Sequence, residues 1–453
     1  MNHNLDALAC PLPEDVRRVI DHGDLAEAER LIALRLADKK VPECLKKRLR
    51  HELTVVRRLP AIYPFSEEEA LRIFQERIPG FTKEELRALR DDGTCDWIYL
   101  NGKVFYHEDA IDTACQTRAD LAPRLLDQTG PERTRLQRER LNEVIRTMKK
   151  EGHAHWRFRL RQSLTIRPEA ERPGVRVRIH TPAPITDAQC RVIRVTAEPD
   201  GILADENEAQ RTVCWDDVCT PGKTYTVDSE WEIDAPYVDP DPAKVSRVQP
   251  RFDTEEQLPQ IRFTPFIRQL AEELAGDTDN PLVKARRFYD YVTTQCSYRY
   301  VPPYFDKTCI PEYFGAGQRG DCGMHALLFI TLCRSVGIPA QWQAGLYTPP
   351  WKAGNHDWAR FYIVPYGWLY ADGSFGGSAY REGNLERWNF YFGNLEPWRL
   401  VCNRAMQQEF NPPKRFERYD PYDSQSGEVE YEDGGLDRSG YSVERELLVC
   451  EEI

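Results

Sequence analysis

Apolar residues in the N-terminal region recur with the spacing of amphipathic helices. Two capping boxes, each a hydroxyl followed three residues later by a glutamate, predict helix starts at Ser66 and Thr82. The Asn101-Gly102 pair lies between two short apolar runs and favours the type I′ turn of a hairpin. The pattern predicts a helical module over residues 1–130 with a winged-helix-like part at 66–107.

The apolar period changes from helical to alternating near residue 153. Residues 131–152 keep a helical apolar side and predict a connector helix. Trp156, Phe158 and Leu160 then alternate with arginines, and Pro/Gly turns separate further short runs of this kind. This pattern predicts an antiparallel β-sandwich over 153–238, with the arginines on an exposed sheet face.

A mixed pattern follows the Pro-rich linker at 239–242. A helix is expected over 281–294, with Asn280 as its cap and a proline in its first turn. We expect residues 245–453 to form one α+β domain. The segments 388–392 and 427–431 are expected to complete or edge its sheet.

The charge distribution argues against general nucleic-acid binding. Residues 1–150 carry 27 basic and 27 acidic residues, so the net charge of −12 belongs to the rest of the chain. Phosphate contacts need clustered Lys and Arg. The second helix of the winged-helix-like part, 82–90, mixes both signs, so a DNA-binding regulator is a disfavoured hypothesis.

Further features bear on the protein's location. The longest apolar runs, such as 326–330, are far shorter than the ~20 residues of a membrane span. We see no secretory signal at the start of the sequence. Its thirteen cysteines include no Cys-x-x-Cys, which makes zinc ribbons and thioredoxin-type redox motifs improbable. Scattered unpaired cysteines favour reduced thiols and a cytoplasmic protein.

The chemistry is concentrated around Cys322. The run from Gly323 to Arg334 predicts a helix, which Gly337 is expected to end in the left-handed conformation. Cys322 therefore stands at a helix N-terminus, where unpaired amides and the helix dipole favour negative charge. We expect this position to lower the pKa of the Cys322 thiol from its usual ~8.5.

A histidine and an aspartate follow on a predicted hairpin. His356 opens one strand and Asp372 closes the next, with a turn at 365–367. Both residues should lie at the same end of the hairpin, so the carboxylate can hold the imidazole and the imidazole can face the thiol. His325, three residues after Cys322, is the alternative base, but no hairpin carboxylate follows it.

These motifs together resemble the transglutaminase-like superfamily, whose core has a papain-like cysteine-peptidase architecture. Gly-x-Cys-x-x-x-Ala, Gly-Ile-Pro-Ala, His-x-Trp and Gly-Trp-x-x-x-Asp occur in order over about 280–375. One departure is Asp372-Gly373-Ser374 where the family has Asp-Pro-Thr. The resemblance implies an α+β, papain-like core after a β-sandwich. It also implies acyl transfer or hydrolysis at an amide by a Cys322, His356 and Asp372 triad, on a protein or peptide substrate.

The remaining expectations concern the oxyanion hole, metal binding and an alternative function. By resemblance, the Cys322 backbone amide and the side chain of Tyr298 or Tyr300 would stabilise the oxyanion, and the choice between the tyrosines stays open. No calcium loop is present, so no metal or cofactor is expected. No membrane partner is expected. The rival to an enzyme is a binding module that kept the fold and lost activity.

Overall fold

The chain folds into N-terminal helices, stacked β-sheets and a mixed core, and the computed structural model describes residues 3–302 and 304–453. None of the helices within these residues combines the length and apolar character that a bilayer crossing requires. All thirteen cysteines are free thiols. The α+β class agrees with the expectation.

The N-terminal module contains the predicted capping boxes and hairpin. Both boxes form, at Ser66 and at Thr82. Asn101 and Gly102 have φ of 48° and 73°, as a type I′ turn requires. The helices are α1 (Glu14–Asp21), α2 (Leu25–Ala37), α3 (Glu43–Ile62), α4 (Glu67–Arg77), α5 (Lys83–Asp91) and α6 (Ala110–Thr117). A small sheet has the order β1-β3-β2, formed by β1 (Phe65–Ser66), β2 (Trp97–Leu100) and β3 (Lys103–Tyr106).

The basic residues of α5 are occupied within the module. Lys83 Nζ lies 2.6 Å from Glu67 Oε1, and Arg87 Nη2 lies 3.0 Å from the same oxygen. These ion pairs leave less free positive charge on the helix that a winged-helix protein would present to DNA. The disfavoured DNA-binding hypothesis gains no support from this surface.

A connector helix leads from the module into two stacked sheets. It is α7 (Thr129–Glu151), and it ends at Gly152 in the left-handed conformation. The sheets begin with the strands β4 (His153–Ile166), β5 (Arg176–Pro182), β6 (Cys190–Glu198), β7 (Ile202–Leu203), β8 (Thr212–Val218) and β9 (Thr224–Pro236). The arginines of β4 lie on its outer face as predicted: Arg157 pairs with Glu232, and Arg161 pairs with Asp228, each at 2.9 Å.

The C-terminal strands correct the predicted domain boundaries. The strands β17 (Glu428–Tyr431), β18 (Gly434–Leu436) and β19 (Tyr441–Glu452) join the sandwich, in the orders β18-β17-β5-β8-β7 and β19-β4-β9-β6. The expectation that 427–431 edges the core sheet was therefore wrong, and the sandwich is discontinuous in sequence. Alternating apolar residues identify a strand but do not say which sheet it will join.

The core consists of helices around an antiparallel sheet of order β15-β14-β13-β12-β16. The strands are β12 (Ala340–Tyr347), β13 (Gly354–Ile363), β14 (Gly367–Ala371), β15 (Phe392–Gly393) and β16 (Arg399–Asn403), and a separate short pair is β10 (Ser297–Tyr298) with β11 (Arg319–Gly320). The helices are α8 (Pro265–Ala275), α9 (Pro281–Thr294), α10 (Ile310–Gly317), α11 (Cys322–Ser335), α12 (Gly373–Arg381) and α13 (Leu385–Phe390). The predicted helix over 281–294 is α9, capped by Asn280.

Helix α11 packs on one face of the core sheet. The ring of Phe329 on α11 meets that of Phe361 on β13, with centroids 5.5 Å apart. Gly337 ends this region with φ of 79°, as predicted. The opposite face lies toward the sandwich, where Arg360 Nη1 is 3.1 Å from Asp187 Oδ1. The side chains of β13 therefore alternate between a helix-covered face and a sandwich-covered face.

We predict that Gly345 is indispensable to the pairing of β12 with β16. A Cβ added there would lie 2.0 Å from the carbonyl oxygen of Leu400 and 2.8 Å from the amide nitrogen of Cys402. Because these are backbone atoms, Gly345→Ala should destabilise the fold by about 1–3 kcal/mol. The matched control is Gly354→Ala on β13, which meets no atom within 4 Å and should be neutral or slightly stabilising. Urea unfolding measures both, and equal stabilities would contradict the prediction.

Candidate active site

Cys322 is the first residue of α11. The Asp321 side chain caps the helix by accepting a hydrogen bond of 3.2 Å from the Met324 amide. As a first-turn donor, the Cys322 N–H has no partner within the helix. The helix start therefore leaves this N–H available beside the sulfur, as the sequence predicts.

Gly323 allows other side chains to approach the start of α11. A Cβ added at Gly323 would lie 2.4 Å from the Tyr304 hydroxyl, 2.8 Å from the Trp342 ring and 2.9 Å from Asp357 Oδ2. The Tyr304 hydroxyl also donates a hydrogen bond to the Asp321 carboxylate. The absence of a side chain at Gly323 thus lets three polar or aromatic groups surround the first turn.

The thiol of Cys322 is hydrogen-bonded to Asp357. The Sγ–Oδ2 distance is 3.4 Å. Burial, followed by the negative charges of Asp357 and Asp321, raises the pKa of Cys322 well above its ordinary value. The predicted lowering of this pKa is not what the structure favours, because burial and then the charges of Asp357 and Asp321 outweigh the helix-start amides.

A second buried group contains His356 and Asp372. His356 Nε2 lies 2.7 Å from Asp372 Oδ2, and Arg399 Nη2 donates to the same oxygen over 2.9 Å. All three side chains are buried, with Asp372 at 0% exposure. Asp372 also caps α12 by accepting a hydrogen bond from the Phe375 amide. The predicted hairpin therefore brings the imidazole and the carboxylate together.

Sequence reasoning missed Arg399, which follows the core hairpin on β16. Its guanidinium lies 4.3 Å from the ring centroid of Phe375 and 4.7 Å from that of Tyr347. It also pairs with Glu396 at 3.2 Å. No spacing or motif in the sequence marked it, because its partners come from other strands and loops.

The electrostatics of the second group keep Asp372 ionised. Burial opposes the charge, but the interactions with His356 and Arg399 outweigh it and lower the pKa of Asp372 to about 2. Burial lowers the pKa of His356 by more than Asp372 raises it, which favours a neutral imidazole. Because Nε2 faces the carboxylate, its hydrogen is assigned there, and Nδ1 is the ring nitrogen with a free lone pair.

Strand alternation separates the thiol from the imidazole. His356 lies opposite Gly345 on β12, whereas Asp357 lies opposite Ala344. Consecutive residues of a strand project to opposite faces, so Asp357 is on the face covered by α11 and His356 is on the other. Among the described residues, the hydrogen bond of the Cys322 thiol goes to Asp357 and none joins it to His356.

His325, the alternative base, lies inside the helix packing. It is fully buried, and its Nδ1 is 2.7 Å from the carbonyl oxygen of Asp321. Its ring packs against Phe314 at 4.6 Å. Burial lowers the pKa of His325 to about 4. These contacts are those of a packing residue, and no carboxylate is bonded to the ring.

Both oxyanion candidates lie near the thiol. Tyr298 is on β10, paired with Gly320 just before the nucleophile, and its ring is 5.5 Å from that of Tyr300. Burial raises the pKa of both tyrosines, and Cys322 is the next cause for Tyr298. The charges of Asp109 and Asp112 in the N-terminal module raise the pKa of Tyr300 by more than Cys322 does. The choice between the two tyrosines stays open.

Further acidic side chains lie next to Asp357. Its Oδ1 accepts a hydrogen bond of 2.6 Å from Gln425, and its carboxyl is bonded to that of Asp423. Asp420 adds a third charge to this region. These residues come from the irregular segment between β16 and β17, and no sequence signal pointed to them.

The described residues contain one group with metal-ligand spacing. It comprises His107, Glu108 and Asp109, whose ligand atoms lie within 4.8 Å of one another. His107 Nδ1 already accepts a hydrogen bond from the Asp109 amide at 3.1 Å. Two further acidic side chains already have partners. Asp241 caps a short helical turn, and Asp433 forms an ion pair with Arg172.

Parts of the chain are similar to known proteins. YebA, an uncharacterised protein of Bacillus subtilis strain 168, is 26% identical over 121 residues, which span 23% of this chain and 16% of YebA. A structure described as a candidate cysteine protease from Cytophaga hutchinsonii is 11% identical with a TM-score of 0.39, covering 66% of this chain and 90% of that one. The periplasmic domain of TgpA from Pseudomonas aeruginosa is 14% identical with a TM-score of 0.28, covering 54% and 96%.

The segment that matches a known family includes the candidate site residues. The model of the transglutaminase-like superfamily matches residues 268–373. Cys322, His356 and Asp372 all fall inside the matched segment, whereas the N-terminal module and the sandwich fall outside it. Residues 268–373 therefore belong to the transglutaminase-like superfamily.

Proposed function

We propose that this protein is a thiol enzyme that transfers or hydrolyses acyl groups at an amide, either a peptide bond or a glutamine side chain. The observation that carries the proposal is the buried hydrogen bond of 2.7 Å between His356 and Asp372, within the superfamily segment. An imidazole oriented by a carboxylate is the arrangement that accepts a proton from a nucleophile and returns it to a leaving group.

The proposed reaction uses Cys322, His356 and Asp372 in successive steps. His356 Nδ1 takes the thiol proton, and the thiolate attacks the amide carbonyl carbon. Asp372 stabilises the imidazolium, which then gives its proton to the leaving amine as the thioester forms. Water or an amine resolves the thioester by the reverse sequence. Because the resting thiol is bonded to Asp357, these steps require the sulfur and the imidazole to come into contact.

The tetrahedral intermediate needs hydrogen-bond donors for its oxyanion. The Cys322 backbone amide and the hydroxyl of Tyr298, or of Tyr300, are proposed for this role. The substrate is proposed to be a protein or peptide. Free thiols throughout the chain support a cytoplasmic location, which belongs to the same proposal.

A second candidate function is a binding module without catalytic activity. The observation in its favour is that the Cys322 thiol contacts Asp357 rather than His356. A thiol held protonated on the opposite face of the sheet from the imidazole would not react. Wild-type protein that forms no more products than Cys322→Ala in the first test below would favour this candidate.

The first prediction tests Cys322 as the nucleophile. Lysate proteins treated with wild-type protein or with Cys322→Ala would be compared by mass spectrometry. New peptide termini report proteolysis, a +1 Da change on glutamine reports deamidation, and lysine-linked masses report crosslinking. We expect Cys322→Ala to abolish these products while leaving stability almost intact, because the partly exposed side chain contributes little packing.

The matched control for this test lies on the same helix. Cys333 is buried at 0% exposure, so Cys333→Ala should lower stability by about 1 kcal/mol or more but keep activity. Activity retained in Cys322→Ala, or lost equally in both variants while they remain folded, would overturn the assignment.

The second prediction ranks His356, Asp372 and His325 by how much kcat falls when each is substituted. On the substrate found by profiling, His356→Ala should reduce kcat by about 10²–10⁴-fold, because it removes the base. Asp372→Asn should reduce kcat next most strongly with KM nearly unchanged, since Asp372 contacts the imidazole and not the substrate. His325→Ala should be least damaging. The rates are compared at temperatures where each variant is folded, and a reversed order for the two histidines would contradict the site.

The third prediction concerns Arg399 and acid stability. The lowered pKa of Asp372 stabilises the fold above the unfolded value of ~3.9, and this contribution is lost as the pH falls toward 2. Arg399→Met should raise the pKa of Asp372, so acid unfolding should begin at a higher pH. It should also cost about 3–5 kcal/mol at pH 7, as expected when one partner of a buried ion pair is removed.

Circular dichroism against pH and denaturant measures these effects. The control is Arg161→Met, which removes a surface partner of Asp228 and should change stability by no more than about 0.5 kcal/mol. An unchanged acid midpoint in Arg399→Met would show that Arg399 does not keep Asp372 ionised.

A further inference from the structure

The side chain that is hydrogen-bonded to the proposed nucleophile is a carboxyl group that the proposed reaction does not use. Asp357 Oδ2 lies 3.4 Å from Cys322 Sγ, within the limit for a thiol hydrogen bond. Asp357 is 7% exposed, so water competes little for this contact. A thiol can donate to a carboxylate, whereas a thiolate and a carboxylate at this distance repel each other. The contact therefore favours the protonated sulfur.

Asp357 is bonded to a second carboxyl group. The side chains of Asp357 and Asp423 are hydrogen-bonded to each other, and Asp423 is 4% exposed. Two ionised carboxylates cannot form such a bond, so the pair shares a proton, and burial raises the pKa of both groups, that of Asp357 to about 7. We call Asp357 and Asp423 the carboxyl pair.

Neighbouring groups hold the carboxyl pair in place. Gln425 Nε2 donates to Asp357 Oδ1 over 2.6 Å and to the carbonyl oxygen of His356 over 3.0 Å. Arg418 donates to the backbone carbonyl of Asp423, and its Nε lies 2.8 Å from Glu428. Arg418 is therefore engaged with Glu428 and the backbone, although its charge still lowers the pKa of Asp423.

The surroundings of the sulfur are acidic on several sides. After burial, the largest causes that raise the pKa of Cys322 are the charges of Asp357 and Asp321, while a hydrogen bond from the Asp357 backbone amide acts in the opposite direction. The titratable and charged groups facing Cys322 or the carboxyl pair from the packed elements are Asp321, His325, Tyr298, Tyr300, Tyr304, Asp420 and Arg418.

We propose that Asp357 accepts the hydrogen bond of the resting Cys322 thiol and that the carboxyl pair keeps this thiol protonated until substrate draws the sulfur toward His356. This inference rests on the proposed function, because it takes Cys322 to be the nucleophile. It explains why a site with a preformed His356–Asp372 pair leaves its thiol bonded elsewhere. The proton stays on sulfur at rest and passes to His356 Nδ1 only when the two groups meet.

The test measures the pH dependence of alkylation at Cys322 in the full chain and needs no substrate. Iodoacetamide modification of the Cys322 peptide is followed by mass spectrometry from pH 5 to 10, with exposed Cys44 as the internal reference. In the wild type, the alkylation midpoint of Cys322 should lie above that of Cys44. A midpoint below that of Cys44 would overturn the proposal without any variant.

Two Asp→Asn substitutions distinguish the hydrogen bond between Asp357 and the Cys322 sulfur from the general electrostatic field of the carboxyl pair. Asp357→Asn replaces the acceptor by an amide that can donate to a thiolate, so the midpoint should fall and alkylation at pH 7 should rise about tenfold or more. Asp423→Asn leaves a carboxylate beside the sulfur, so the midpoint should stay or rise. Each variant retains one carboxylate of the carboxyl pair, so their difference reports the contact itself.

Thermal unfolding shows whether each variant is folded, and Cys44 alkylation corrects for the reactivity of the reagent at each pH. An equal shift in both variants, no shift in Asp357→Asn, or slower alkylation of Asp357→Asn would overturn the proposal; the last result would make Asp357 a proton acceptor instead. The proposed function fails separately, if wild-type protein forms no Cys322-dependent products in the lysate experiment, because alkylation involves no acyl transfer.

Discussion

The alternation of side chains along β13 determines how the chemistry of this protein is arranged. His356 and Asp357 are adjacent in sequence, yet a strand directs them to opposite faces of the sheet. One face holds the imidazole with Asp372, and the other holds the thiol with Asp357. A single strand thereby connects two buried polar groups, and any reaction between thiol and imidazole must bridge its edge.

The predictable parts of the structure depended on local signals. Helix caps, a left-handed glycine and a tight turn involve residues close in sequence, so Asn280, Gly337 and Asn101 marked their elements correctly. The hairpin that joins His356 to Asp372 is also short, and its geometry follows from strand pairing. These signals were sufficient to place Cys322 at a helix start.

The missed features depend on contacts between distant segments. Arg399 reaches Asp372 across 27 residues, and Asp423 reaches Asp357 from a segment without regular structure. The sign of the Cys322 pKa shift follows first from burial and then from the charges of Asp357 and Asp321, which act against the helix dipole. The strand β19 (Tyr441–Glu452) was not predicted, and neither was its pairing with β4.

The two polar groups differ in the charge that each environment favours. Arg399 lies beside Asp372, so that group contains a buried cation that balances a carboxylate even when the imidazole is neutral. The side-chain charges with the largest effect on the pKa of Cys322 are those of two carboxylates, and burial strengthens their effect because the local dielectric is low. A thiolate is therefore disfavoured where the sulfur rests and becomes more favourable beside a protonated imidazole. The separation of the groups confines thiol ionisation to the moment when substrate brings them together.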